Sequence, residues 1–206
     1  MLRRLFKFNG GVKPQTHKSE STRAPIAAVP LPTEFVIPLH QSIGGTPRPV
    51  VKAGDRVRKG QLIGAADGNV SSAVHASTSG TVKAVEMRTM AHSSGLGVLS
   101  VVIEADGEDA WIDCTPVPWR SMSPGEVRDV LRDAGVVGLG GAVFPTYLKV
   151  QGSRTTAFKT LVINGAECEP FITCDDMQMR ERPEGVLRGA AILRDLLQAE
   201  EVLIGI

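Results

Sequence analysis

Residues 135–149, GVVGLGGAVFPTYLK, carry glycines at 135, 138, 140 and 141 and close on Lys149. What precedes such a loop decides which folds are open to it. A dinucleotide-binding fingerprint follows a strand and opens a helix. Here a helix comes first. Ser123 caps it, Pro124 takes its first position and Glu126 completes a capping box. Val127, Val130, Leu131 and Ala134 recur at helical spacing, and Gly135 ends the helix where a left-handed residue is expected. The order disfavours the Rossmann reading, and the last position of the near-GxGxxG is Val143. No GK[ST] follows, which excludes a Walker loop.

Downstream of the loop the pattern is strand, helix, strand. TLVIN at 160–164 and EVLIGI at 201–206 are short aliphatic runs. Between them PEGVLRGAAILRDLLQA places Val186, Ala190, Leu193 and Leu197 on one helical face. Hydrophobic strands alternating with helices predict a parallel sheet covered by helices. Two such strands are a poor core, so residues 122–206 read as the N-terminal part of an α/β domain belonging to a longer protein, or as a unit stabilised by a partner.

Upstream the period is different. Residues 37–105 hold short apolar runs separated by turn signals at Gly44-Gly45, Gly54-Asp55, Asp67-Gly68-Asn69 and Ser79-Gly80. Val57, Gln61 and Ile63 alternate against Arg56, Arg58 and Lys59, as in small half-buried strands. The phrase VKAGDRVRKGQLIG followed by HASTSGTVKAVE resembles the two halves of a lipoyl- or biotinyl-type barrel-sandwich. A carrier of that type presents a lysine on the hairpin between the halves. The hairpin here, residues 64–76, has none, which leaves the fold without an attachment point. His75 lies in this hairpin and, without partners at ligand spacing, reads as a hydrogen-bonded structural residue.

Two connecting stretches remain. Residues 1–36 form a basic, proline-punctuated, extended arm. Its LRRLFKF opening suits either an anionic membrane face or a frayed terminus. Residues 106–121 form a linker, and Trp111 and Trp119 are expected to pack in the seam between the domains. Bulk properties exclude some classes. A net charge of +1 gives no general reason to expect nucleic acid as a partner. No apolar run reaches the roughly 18 residues of a membrane span. Cys114, Cys168 and Cys174 are too few for a disulfide framework, and the C-x5-C spacing of the last two matches no cluster or zinc pattern.

The chemistry concentrates at two places. Glycine backbone can lie against a flat or anionic ligand and form an anion nest. Phe144-Pro145-Thr146 reads as the start of a helix with Pro145 in its first position, and Lys149, one turn in, supplies counter-charge. The alternative is a tight turn that allows close helix–sheet contact. The second place lies beyond the carboxyl end of TLVIN, where ligands of α/β sheets bind. Asn164 offers a donor and an acceptor. Glu167 and Glu169, two apart, point to one side if extended. Asp175 and Asp176 read as surface or capping residues.

GLGGAVFPTYLK followed by NGAECEPFITCDD resembles the NADH- and FMN-binding subunit of respiratory complex I and its relatives. With FNGGVKP, QSIGGTPRPVVKAGDRVRKGQLIG and HASTSGTVKAVE, the chain is similar over nearly its whole length to the RnfC (or RsxC) component of the Rnf (or Rsx) ion-translocating electron-transport complexes. The resemblance implies a peripheral subunit on the cytoplasmic side of the bacterial inner membrane. Such a subunit moves electrons between NADH and a low-potential carrier through FMN and [4Fe-4S] clusters, coupled to ion movement. It implies that Gly138, Gly140, Gly141 and Lys149 hold the FMN phosphate region and that Asn164 and Glu167 contact the flavin or its ribityl chain. Phe144 and Glu169 would place NADH, and the chemistry would be hydride transfer between nicotinamide and flavin, with no catalytic acid or base. The complex I relatives have an arginine where Leu139 stands, a glycine at Val143 and an acid at Ala166, so the charge at the nicotinamide end is reduced here. The resemblance implies that the cluster-binding cysteines lie in a later domain; no CxxCxxCxxxCP run is present here, so this chain is expected to bind no cluster or other metal by itself. A related component of sodium-pumping quinone reductases offers the alternative of a cofactor-free scaffold.

Overall fold

The computed structural model describes residues 11–12, 14–139, 142–151 and 158–206. The LRRLFKF opening, Gly140 and Gly141 lie outside them. A one-turn helix, α1 (Lys18–Ser21), interrupts the arm, and strand β1 (Glu34–Pro38) begins within the stretch assigned to it. Then follow β2 (Arg48–Pro49), β3 (Arg56–Val57), β4 (Leu62–Ala65), β5 (Val74–His75), β6 (Gly80–Thr89) and β7 (Gly97–Ala105). They form two antiparallel sheets, ordered β1-β7-β6-β3 and β2-β4-β5. The β6–β7 ladder is the longest, running from Gly80↔Ala105 to Thr89↔Gly97.

The two sheets close on one aliphatic core. Ile37, Val57, Val82, Val101 and Ile103 come from the first sheet and Ile63 and Val74 from the second, with Leu39 and Ala76 filling between them. Leu39, Ile63, Val101 and Ile103 have no exposure. This is the barrel-sandwich the sequence implies, and the alternation holds in part, with Val57 and Ile63 buried and Arg56 and Arg58 exposed but Gln61 and Lys59 both half-buried. Gly44 is required at its turn: its φ is +109°, and a Cβ there would overlap the Val70 carbonyl.

The linker does not cross freely. Lys59 N–H donates to Ala110 O and Ile112 N–H to Lys59 O, so the stretch lies along the barrel as an extra edge. Trp111 stays 59% exposed, lying across Gly60 with the Lys59 ammonium 5.3 Å from its ring. A 3-10 turn at Trp119–Ser121 then leads into the second unit. Trp119 packs there with Val127, Val150 and Leu196. The expectation that both tryptophans fill the seam is therefore corrected. Each packs on its own unit, because Gly60 gives Trp111 a flat local platform and the helices give Trp119 another.

The second unit is built from α2 (Pro124–Asp133), α3 (Thr146–Lys149), β8 (Thr160–Asn164), α4 (Cys174–Glu181), α5 (Pro183–Leu197) and β9 (Glu201–Gly205). β8 and β9 pair in parallel from Thr160↔Glu201 to Asn164↔Gly205. Val162 and Leu203 remain 63% and 54% exposed, so one face of this two-stranded sheet carries no cover among the described residues.

The seam between the units is made by the barrel hairpin. Tyr147 O–H donates to Asn69 O at 2.8 Å, and Arg132 donates to Gly68 O at 3.2 Å. Ser71, Ser72, Ala73 and Val74 are buried there. His75 is half-buried, and desolvation pushes its imidazole below the ordinary range despite a hydrogen bond to the Asp133 backbone.

Candidate functional site

The helix before the glycine loop starts and stops as its residues dictate. Ser123 N–H donates to Glu126 Oε2 at 2.7 Å, and Glu126 N–H donates to Ser123 Oγ at 3.3 Å. At the other end Gly135 N–H donates to Arg132 O and Val136 N–H to Leu131 O, the double closure of a Schellman motif. Gly135 has φ +67°, and a Cβ there would overlap the Ala73 carbonyl of the barrel. Its glycine serves the helix end and the seam at once.

The loop then folds back on itself. Val137 and Pro145 form an antiparallel bridge, flanked by Gly138 N–H to Phe144 O at 2.8 Å and Thr146 N–H to Val136 O at 3.0 Å. This bridge corrects the expected helix start. Pro145 is extended, with ψ 126°, and stands at the N-cap, so the helix opens at Thr146. α3 is also only four residues long. A single turn has little macrodipole to offer an anion. Positive charge at the loop therefore rests on Lys149. Its Nζ lies against Gly138, where a Cβ would come within 2.5 Å of it. Phe144 is half-buried and Leu139 is 93% exposed. Val143 holds φ +44°, uncommon for a β-branched residue.

The second cluster lies beyond β8. Asn164 is exposed, and its Oδ1 accepts from Ala166 N at 3.1 Å. Past Asn164 the chain leaves the strand, so Glu167 and Glu169 do not share a strand face. Glu167 turns to the start of α4. Its oxygens accept from Asp175 N at 3.0 Å, Asp176 N at 3.2 Å and the Cys174 thiol at 3.1 Å. Thr173, the residue at the N-cap, makes no side-chain bond, and Glu167 takes over that role. Partial burial pushes its carboxyl up, but the two amides, the thiol and the Lys18 charge outweigh this and hold it below the ordinary range. The same hydrogen bond, with desolvation, pushes the Cys174 thiol up, which keeps it protonated. Glu169 is exposed. Asp176 sits in the first turn of α4 and pairs with Arg180 at 2.8 Å.

Lys149, Gly138 and Phe144 are thus brought together, as are Asn164 and Glu167 on consecutive segments. Among the described residues no hydrogen bond or ion pair joins the two groups. An ammonium beside Gly138, a residue without a Cβ, is a donor that an anionic group such as a phosphate could approach. The Asn164 side chain also carries an amide NH2 that could donate to a ligand. The sequence reading missed Tyr147, Arg132 and the arm residues Thr16, His17 and Lys18, which pack on the loop after Glu167. Tyr147 and Arg132 carry a faint signal, as a lone tyrosine and a cation on helices with apolar faces. The arm contacts join residues some 155 positions apart, which no local pattern announces.

Comparison with known proteins finds two family matches along the chain. Residues 6–108 match the family described as the RnfC barrel sandwich hybrid domain, and residues 131–206 match the Nuo51 FMN-binding domain. The chain is 44% identical over 204 residues to the C subunit of the ion-translocating oxidoreductase complex of Haemophilus influenzae, covering 98% of this chain and 30% of that protein. It is 45% identical over 204 residues to the protein of the same name from Pectobacterium carotovorum, covering 98% and 27%. The namesake from Pseudomonas aeruginosa is 46% identical over 203 residues, covering 98% and 26%. The chain therefore spans about a third or less of the length of these curated relatives. A match to the RnfC barrel-sandwich domain over half of the chain, followed by a match to an FMN-binding domain, places the chain in the RnfC family.

Proposed function

We propose that this chain provides the flavin and nicotinamide site of a peripheral electron-transfer subunit in an ion-translocating oxidoreductase complex. The subunit exchanges electrons between NADH and a low-potential carrier through FMN and [4Fe-4S] clusters. The observation that carries the reading is Lys149 Nζ lying against Gly138 at the base of a closed glycine loop. In this reading Gly138, Gly140, Gly141 and Lys149 hold the FMN phosphate, and Asn164 and Glu167 hold the ring edge or ribityl chain. Phe144 and Glu169 place the nicotinamide substrate. The protein supplies binding, orientation and exclusion of water. Bound FMN supplies the exchange between two-electron and one-electron steps. The clusters belong to cysteines outside these residues. No helix among the described residues is long and apolar enough to cross a membrane. Attachment to the cytoplasmic face of the bacterial inner membrane runs through the other subunits of the complex.

The test is an absorbance spectrum of the purified full-length protein. A flavin band is expected, and Lys149→Ala should weaken FMN binding by about 10- to 100-fold, the range for one charge-assisted contact. A colourless protein that takes up no added FMN would overturn the reading. That result would favour a cofactor-free scaffold, a role supported by one observation: both oxygens of Glu167 are already occupied by the start of α4.

A further inference from the structure

α4 has few means of its own to stay folded. It is eight residues long, none of them buried, and its N-cap side chain makes no bond. A helix of that length is marginal in water without tertiary support. Glu167 holds its first amides. Met179 lies against Gly165 and α5 packs beside the helix; further support comes from the N-terminal arm, some 155 residues upstream.

The arm grips both ends of α4. Ahead of its start, Phe171 N–H donates to Thr16 O at 2.9 Å, and the Lys18 ammonium donates to Ile172 O at 2.8 Å. The His17 ring stacks on Phe171 with centroids 4.6 Å apart and 5° between planes. At its last residue, Ile26 N–H donates to both oxygens of Glu181, at 2.9 and 3.2 Å. Phe171 has φ +66°, a left-handed conformation that a residue with a side chain adopts rarely. It is also the residue held by the arm through both backbone and ring. A strained residue persists where its surroundings over-determine it, and here the arm provides those surroundings.

We propose that residues 16–26 are a clasp that fixes α4, and through α4 the carboxylate of Glu167, which makes His17 and Lys18 positioning residues for the flavin site. This rests on the FMN reading above. Contacts run from the arm to Phe171 and Ile172, then to α4, then to Glu167. Lys18 adds its charge to the stabilisation of the Glu167 carboxylate. None of the arm residues needs to touch the flavin.

The test uses the full-length protein with two variants, His17→Ala/Lys18→Ala and His17→Phe. Amide hydrogen exchange at Phe171, Asp175 and Asp176, read without flavin, is expected to quicken roughly tenfold or more in the double variant. His17→Phe, which keeps the stack, should restore most of the protection. With FMN added, the double variant should bind several-fold more weakly and shift the visible flavin band, a readout that loss of packing remote from the flavin would not move. Unchanged exchange at the three amides would overturn the clasp. Faster exchange with wild-type FMN affinity and spectrum would overturn the positioning role. A wild-type protein that binds no FMN would overturn the flavin reading and the positioning role together, and the exchange data would still decide the clasp.

Discussion

Replacing Gly135 with alanine should separate a glycine demanded by the backbone from one kept for a ligand. Gly135 holds φ +67°, and an L-residue forced into that region costs about 1–2 kcal/mol. The new Cβ would also overlap the Ala73 carbonyl. Backbone cannot swing aside as a long side chain can, so the seam must part. The bond at stake is Tyr147 O–H to Asn69 O, 2.8 Å long, and its loss adds about 1 kcal/mol. The expected total is about 2–3 kcal/mol. A control substitution should have the opposite sign. Gly189 lies in the middle of α5 with nothing within 4 Å of a built Cβ, and Gly189→Ala should stabilise by about 0.5–1 kcal/mol. Urea unfolding followed by tryptophan fluorescence reads both variants. Trp119 packs within the helical unit and Trp111 lies on the barrel, so Trp→Phe backgrounds report the two units separately. Gly135→Ala should move the Trp119 transition to lower urea with little change at Trp111. A change under about 0.5 kcal/mol in Gly135→Ala, or a destabilisation by Gly189→Ala of similar size, would refute the reasoning.

Tyr147→Phe should cost about 1 kcal/mol, because it removes the hydroxyl that donates to Asn69 O while keeping the ring; thermal unfolding checks it, and no change would show that the seam does not use that bond. Desolvation disfavours protonated His75 in the folded state, so docking of the two units is unaffected well above the ordinary histidine range. It weakens as pH falls through about 6.5, where the undocked imidazole takes a proton. Exchange of seam amides between pH 7.5 and 5.5 reads this, and His75→Gln should flatten the profile. Glu167 behaves as a depressed carboxylate: its support of α4 is present above the ordinary carboxylate range and lost as pH falls below it. Glu167→Gln should lower α4 amide protection at neutral pH, where the wild type is intact.

The parts of the fold legible in the sequence are those written in local side-chain chemistry. Ser123, Pro124 and Glu126 specify one helix start, and Gly135 specifies its stop, because capping acts within four residues. TLVIN and EVLIGI are readable as strands because their aliphatic runs have no other home. The lone proline at 145 misleads for a long-range reason. Its bridge to Val137 sets ψ to an extended value, and nothing beside it in sequence announces that pairing. Spacing misleads in the same way at Glu167 and Glu169. Their two-residue interval places them on one side only within a strand, and the strand ends at Asn164. Glu167 instead answers the open amides of a helix seven residues ahead. Of the candidate site, the residue types are legible, and the hydrogen bonds that already occupy Glu167 and Asn164 are not.

The hairpin without a lysine ties these observations together. In a carrier, residues between the two barrel halves must stand in solvent so that a modified lysine can swing. Here the corresponding segment is small and polar, and Ser71, Ser72 and Ala73 are buried. Small side chains let backbone approach backbone: Ala73 N–H reaches Arg132 O at 3.5 Å, and its carbonyl meets Gly135 where only a glycine fits. A lysine in this stretch would bring an ammonium into a seam already occupied by Arg132, and burying a second cation without a partner is strongly unfavourable. The same hairpin cannot serve as both a swinging tip and a docking face. The absent lysine and the left-handed Gly135 thus have one cause. The barrel uses its carrier hairpin to hold the end of α2, and so fixes the point from which the glycine loop departs.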